Sequence, residues 1–346
     1  MQSAPRGLFL LSTVTALFGL LGLSIAYGCY ARQHFGPQIL LRSAAFQGDG
    51  CLLTLGDSRM EAGIDPGVLA ASLRGALTAP LCIAPLAIGA VGISGASMAL
   101  RRYLDLERKP SVVVLGVSAG TLLPDLETVD PKDLFGNRAI ELAWSRPSDV
   151  WLYYPDFPLA DLDRGLRFWI TRSNGLSIYA SLTWIKVKTL QNSLVGMGAP
   201  AAEPRERFGA QADMQVLLKS FGDVAMRKLE HFNGRWRFDP WFQQILESTR
   251  RSGSRLVLVE VPMPSAYRRD ILESTVASSY QTWLRGELQA AGVGFVDGSH
   301  LPGVEDDAFS DGLHLGGDGA RHFSEQLGRL LAPVISTRAA PKGSRL

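Results

Sequence analysis

The chain has 346 residues, of which 46% are hydrophobic and 20% charged, and its formal net charge is +2. That length accommodates one large domain or two smaller ones, with ample apolar content for a full core. The near-balanced charge shows no Lys/Arg stripe and so gives no reason to expect nucleic acid as a partner, and the three cysteines, Cys29, Cys51 and Cys82, lack metal-ligand spacing, so no metal or other cofactor is expected.

Residues 8–27 are apolar and carry no charged side chain. About 20 such residues suffice to cross a bilayer. The run is too long for the core of a cleaved signal, and no convincing small-x-small site follows it. Residues 1–32 therefore read as a short cytoplasmic stub and an uncleaved transmembrane anchor, with Cys29 at the membrane edge. Arg6 lies before the span and Arg32 and Arg42 after it, so the flanking charges do not fix its orientation.

From residue 46 to 123 the rhythm is strand, helix, strand. Cys51–Leu55 is a short apolar strand running into Gly56-Asp57-Ser58-Arg59. Asp65 and Pro66 open a helix predicted to about Leu77, as N-cap and first helical residue. Leu81–Ile88 is a second strand, followed by a turn over Gly92–Ser97 and a helix over Met98–Leu106. Ser111–Leu115 is a β-branched buried strand ending in Gly116-Val117-Ser118. Cys51 and Cys82 fall on or near neighbouring strands. A disulfide between them is conceivable in an oxidising compartment, but two buried free thiols are the favoured reading.

The alternation stops between residues 124 and 239, which read as an insertion or lid. This stretch holds Trp144, Trp151, Tyr153, Tyr154, Phe157, Phe168, Trp169, Tyr179 and Trp184. Three roles stay open for these aromatics: the core of a subdomain, the lining of a substrate site, or a rest on the membrane surface. Residues 240–335 resume the pattern. Trp241–Ser252 is a helix stopped by Gly253, Arg255–Val261 a buried strand, Asp270–Ala291 one long helix stopped by Gly292, and Val293–Val296 the last strand. A final helix is predicted over Asp318–Leu331 with Asp318 as N-cap, and residues 336–346 as a disordered tail. Five short apolar strands alternating with helices predict an open parallel α/β sheet.

In such a sheet the loop after the first strand and the loop before the last helix both open at the C-terminal edge. Ser58 stands in the first, and Ser310-Asp311-Gly312-Leu313-His314 in the second. His314 can take the Ser58 proton while Asp311 fixes the imidazole tautomer and stabilises its cation. The N–H of Gly95, among small residues, is a candidate oxyanion donor. His34 and His231 have no such partner in sequence, His300 follows the last strand, and His322 falls on the final helix as a surface or structural residue. Arg59 follows the serine directly. It reads either as a binder of an acidic sugar or phosphate or, more simply, as half of a structural ion pair.

These blocks resemble the SGNH, or GDSL-type, hydrolase superfamily over most of residues 51–331, apart from the insertion. Gly56-Asp57-Ser58 matches the first block, Ile93-Ser94-Gly95-Ala96-Ser97 the second, and Ser310-Asp311-Gly312-Leu313-His314 the fifth. The resemblance implies a flavodoxin-type three-layer sandwich around about five parallel strands. It also implies Ser58 as nucleophile, His314 as base, Asp311 as its partner, and an oxyanion hole from Ser58, Gly95 and a third group. That third group is where the sequence departs. Ser118 stands where the family's third block has Asn, and Ala90 where an Asn precedes the second block.

The anchor, the GDSR start, the altered third block and the insertion are similar to membrane-anchored members linked to O-acetylation of alginate and other exopolysaccharides and to teichoic-acid D-alanylation. That similarity implies a single-pass protein of the inner membrane with its catalytic domain periplasmic or otherwise extracytoplasmic. It also implies a membrane acyltransferase as partner. The expected activity is a serine-dependent O-acyltransferase or acyl esterase acting on an exopolysaccharide or envelope glycan through acyl-Ser58. Two alternatives remain: a lipid esterase or thioesterase, if the insertion forms a deep apolar groove, and an inactive scaffold of a polysaccharide-export complex, which the altered third block would suit.

Overall fold

The computed structural model describes residues 50–74, 82–89, 91–126, 141, 144–154, 162–173 and 214–336, with isolated positions at 15, 19, 22, 23 and 26. It divides into two compact units, residues 1–41 with 127–194, and residues 42–126 with 195–346.

The second unit is built on a five-stranded sheet in the order β2-β1-β3-β4-β5. The strands are β1 (Leu52–Leu55), β2 (Ile83–Pro85), β3 (Val112–Val117), β4 (Arg255–Glu260) and β5 (Gly294–Asp297). All four pairings are parallel, with Leu55 opposite Leu115 and Val117 opposite Glu260. Every residue of β1 and β3 is buried. Such continuous apolar runs are what strands covered on both faces require.

The longer described helices in this unit are α1 (Ser58–Gly63), α2 (Pro66–Arg74), α3 (Ile93–Leu104), α6 (Met214–Phe232), α7 (Pro240–Ser252), α8 (Thr275–Ala291) and α9 (Gly317–Ser336), and α4 (Val150–Tyr153) and α5 (Leu162–Ser173) belong to the other unit. From β1 the chain moves first to β2 and then back across to β3. Right-handed crossovers in opposite directions put α2 and α3 on opposite faces, giving the three layers expected. α2 packs on α9, where the Ser72 hydroxyl donates to the Glu325 carbonyl at 2.8 Å, and α3 packs on α7. The reversal makes the gap between the ends of β1 and β3 the topological switch point, where open α/β sheets bind their ligands.

Several boundaries differ from expectation. Of the strand expected over Leu81–Ile88, only Ile83–Pro85 is regular strand, although the Leu86 and Ile88 N–H groups still donate to the Thr54 and Gly56 carbonyls. Pro85 is tolerated because β2 is an edge strand and its nitrogen faces away from β1. The turn expected over Gly92–Ser97 is largely the start of α3, which begins at Ile93. The long helix expected over Asp270–Ala291 is broken. A helical turn at Ser265–Tyr267 and a π-turn at Arg268–Leu272 precede α8. Ser274 caps α8 by accepting from the Ala277 N–H at 3.2 Å, a start signal hidden inside an otherwise helical pattern. The last helix starts one residue early, at Gly317, so Asp318 lies in its first turn, and it continues through Pro333 to Ser336.

Cys51 and Cys82 form a disulfide, against the favoured reading of two free thiols. The residues precede β1 and β2, and the parallel pairing of those strands brings their starts side by side.

The first unit contains α4 (Val150–Tyr153) and α5 (Leu162–Ser173). Phe168 packs against Tyr153 and Tyr154 at ring separations of 5.4 and 6.3 Å, and the Tyr153 hydroxyl donates to buried Glu141 at 2.8 Å. These aromatics therefore form a core of their own, while Trp151 and Trp169 are exposed. Phe157, Tyr179 and Trp184 lie outside the described residues. So do most of the apolar run at 8–27 and the tail beyond 336. Among the described residues no helix is long and apolar enough to cross a membrane.

Candidate active site

The site begins with a sharp turn at the end of β1. Gly56 has φ +144°, a conformation that side chains rarely adopt, and a Cβ there would lie 2.7 Å from the Met60 side chain. Met60, fully buried, folds over Gly56 and Gly116 and lets α1 turn back onto the sheet. Asp57 caps α1 by accepting from the Arg59 N–H at 3.0 Å. Ser58 thus becomes the first residue of a helix, with its N–H among those that have no carbonyl partner within the helix.

Arg59 turns inward. It is 5% exposed, its Nε lies 3.1 Å from both Asp57 oxygens, and its Nη2 also bonds Asp57. Its guanidinium sits over the Phe221 ring at 4.5 Å, and Nη1 lies 3.6 Å from the Met263 sulfur. This is the ion-pair arrangement, with the charge spent on Asp57. Burial alone would raise the Asp57 carboxyl, but the Arg59 charge and hydrogen bonds outweigh it and hold the group below its ordinary range.

The partner loop is equally constrained. Asp311 Oδ1 accepts from the backbone N–H groups of Leu313 and His314, each at 2.8 Å. The loop closes on itself where the Ser310 N–H donates to the His314 carbonyl at 2.8 Å and Phe309 pairs with Leu315. His314 Nδ1 then lies 2.8 Å from Asp311 Oδ2, and its Nε2 lies 2.7 Å from Ser58 Oγ. With Nδ1–H donating to the carboxylate, Nε2 is left as the acceptor facing the serine hydroxyl. Burial tends to raise the Asp311 carboxyl. Its hydrogen bonds from the His314 side chain and the two backbone amides outweigh that and keep it below the usual range.

Gly95 lies in the first turn of α3, whose amides lack helical acceptors. Ser118 lies three residues past Leu115, as Ser58 lies three past Leu55, so the β1–β3 register sets both serines at the switch point. Ser118 is buried. Its N–H donates to Thr121 Oγ1 at 3.1 Å, and the two hydroxyls are 3.0 Å apart. Because Thr121 Oγ1 already accepts that N–H, it can give its own proton to Ser118 Oγ and leave the Ser118 proton for another acceptor. Ala90 lies outside the described residues. His300 bonds its neighbour Ser299 at 2.9 Å, and His322 lies against Gly303.

Sequence reasoning passed over two groups near this edge. Thr121 is visible in hindsight as the fourth residue of the turn Ser118-Ala119-Gly120-Thr121, closed by the Thr121 N–H donating to the Ser118 carbonyl at 3.0 Å. Glu260, which ends β4, is 4% exposed and sits in a run that otherwise reads as plain core. Burial and the nearby Asp297 charge push its carboxyl up to about 7. The folded protein therefore holds a proton there that the unfolded chain, near the ordinary value of 4.5, releases. The resulting stability is fully present below about pH 4.5 and is lost as pH rises through about 7. Glu260→Gln should remove that dependence and raise unfolding stability at pH 8 by on the order of 2–3 kcal/mol. Urea melts of both proteins at pH 5 and pH 8 check this.

No protein-family model matches the chain, and no curated protein matches it. Among solved structures it is similar to a lipase/acylhydrolase from Enterococcus faecalis, at 11% identity and a TM-score of 0.37, over 84% of this chain and 100% of that one. It is also similar to a GDSL-like lipase from Bacteroides thetaiotaomicron, at 11% identity and a TM-score of 0.35, over 89% of this chain and 98% of that one. Likeness at this level assigns no activity to this chain, whose chemistry must be read from its own side chains.

Proposed function

We propose that the chain is a serine acyl hydrolase or acyltransferase of the SGNH type. The observation that carries this is the line Ser58 Oγ–His314 Nε2–Asp311, in which a 2.7 Å contact joins residues 256 positions apart in sequence and Asp311 Oδ2 lies 2.8 Å from His314 Nδ1. A turn serine and a surface histidine have no reason to meet in this order, and the arrangement is the one nucleophilic acyl transfer needs.

In the proposed reaction Ser58 Oγ attacks the carbonyl carbon of an ester while its proton passes to His314 Nε2. Asp311 holds the imidazolium. The tetrahedral oxyanion is met by the N–H groups of Ser58 and Gly95 and by the Ser118 hydroxyl in the place of a carboxamide. As it collapses, the bond to the alcohol oxygen breaks and His314 returns the proton to that oxygen. His314 then deprotonates water or a sugar hydroxyl, which attacks acyl-Ser58. Its products are the free acid or a new ester, and Ser58 regains its proton.

The finer reading is an O-acyltransferase or esterase on an exopolysaccharide or envelope glycan, anchored in the inner membrane with its catalytic unit outside the cytoplasm and supplied by a membrane acyltransferase. Two features support the location: the uncharged run at 8–27 and the Cys51–Cys82 disulfide, a bond that persists in oxidising compartments. The compact aromatic packing of Tyr153, Tyr154 and Phe168 gives no support to a deep apolar groove for lipid chains.

Full-length protein in detergent, given p-nitrophenyl acetate and the corresponding dodecanoate, should turn over the acetyl ester at least tenfold faster in kcat/KM. Acetyl transfer to an added glycan, followed by mass spectrometry, should compete with hydrolysis. A preference for the dodecanoate with no transfer would favour lipid chemistry instead.

A further inference from the structure

We infer that Glu61 is a positioning residue for the Ser58 reaction: its carboxylate clamps Gly89, in the segment between β2 and α3, against the nucleophile. This inference rests on the reading of Ser58 as nucleophile.

The segment leaving β2 is tied to β1 and its turn in three steps. The Leu86 N–H donates to the Thr54 carbonyl at 2.8 Å, and the Ile88 N–H donates to the Gly56 carbonyl at 3.1 Å. Beyond Gly56 the chain turns away into α1, so the backbone ladder has no next rung. The next tie is a side chain: the Gly89 N–H donates to Glu61 Oε2 at 2.6 Å. Glu61 is three residues after Ser58 on α1, so it reaches Gly89 from the first turn of the helix that carries the nucleophile.

Gly89 also comes near the reacting residue. A Cβ placed on it would lie 3.5 Å from Ser58 Cβ and 3.0 Å from Glu61 Oε2. A methyl there would meet Ser58 in ordinary contact but would crowd the Glu61 carboxylate oxygen. Six residues on is Gly95, in the first turn of α3. The clamp thus fixes, relative to Ser58, the stretch of chain that carries the proposed oxyanion amide. Glu61 is exposed, so its loss should cost the fold little. Small displacements of groups that align a reaction, by contrast, cost large factors in rate.

The test is kinetic, with melting temperature recorded for each variant and active sites counted by fluorophosphonate titration in all but Ser58→Ala, whose rate is taken per mole of protein. Wild type should exceed Ser58→Ala. Glu61→Ala should lower kcat about tenfold with KM within about twofold, and its melting temperature should stay within about 2 °C of wild type. Glu61→Gln keeps an acceptor for the Gly89 N–H and should return kcat to within about threefold of wild type. Gly89→Ala, whose methyl would crowd Glu61 Oε2, should lower kcat in the same direction.

If wild type is active and Glu61→Ala has the same kcat, the clamp is overturned while Ser58 keeps its role. If both Glu61 variants lose only folded protein, with turnover per titrated site unchanged, Glu61 is structural and the inference also falls. If wild type is no more active than Ser58→Ala, the catalytic reading fails and takes the clamp with it.

Discussion

Replacing Ser58 with alanine is expected to lower kcat for ester hydrolysis by on the order of 10⁴–10⁶, and His314→Ala by a similar factor. Combining the two should cost no more than either alone, because the hydroxyl and the imidazole act as one unit across their 2.7 Å contact. The residual rate would report what the oxyanion donors and substrate binding achieve without a nucleophile. Neither substitution should unfold the protein. Ser58 opens α1 but does not cap it; Asp57 does, through its bond from the Arg59 N–H. Steady-state kinetics on purified variants, with circular dichroism to verify folding, give the comparison.

The disulfide carries the second large effect. Cys51 and Cys82 close a loop with a sequence separation of 31, for which chain-entropy reasoning gives about 3–4 kcal/mol of stabilisation. Reduction, or Cys82→Ala, should lower unfolding stability by that amount and shift the urea midpoint down by about 1 M. Activity of the protein that remains folded should not change. The bond lies at the starts of β1 and β2, whereas Ser58 follows the end of β1, so the strand length separates them. Denaturation with and without reductant, paired with activity in the pre-transition region, tests both halves.

Much of the sheet was legible because parallel strands buried on both faces must be apolar throughout. Leu52–Leu55, Val112–Val117 and Arg255–Glu260 stand out as such runs between turn signals. The turn at Gly56 and the Asp311–His314 spacing were legible because few residue types tolerate those backbone positions and contacts. What escaped was set by tertiary geometry. The cysteines could be placed on neighbouring strands, but whether they bond depends on the β1–β2 register. Ser274 sits inside a helical pattern, and only the chain's change of direction after β4 makes it a cap. Glu61 looks like any acidic residue in a first helical turn until Gly89 is seen against it. Arg59 could have faced outward or inward, and the inward choice follows from the Phe221 and Met263 surfaces contributed by distant segments.

The most direct measurement is mass spectrometry of the full chain quenched in acid during turnover of p-nitrophenyl acetate. Wild type should carry one acetyl group on the peptide containing Ser58, at a level that rises with His314→Gln if deacylation is slowed more than acylation, and Ser58→Ala should carry none. An unmodified wild-type peptide, or equal acetylation of the Ser58→Ala protein, would contradict a nucleophilic Ser58.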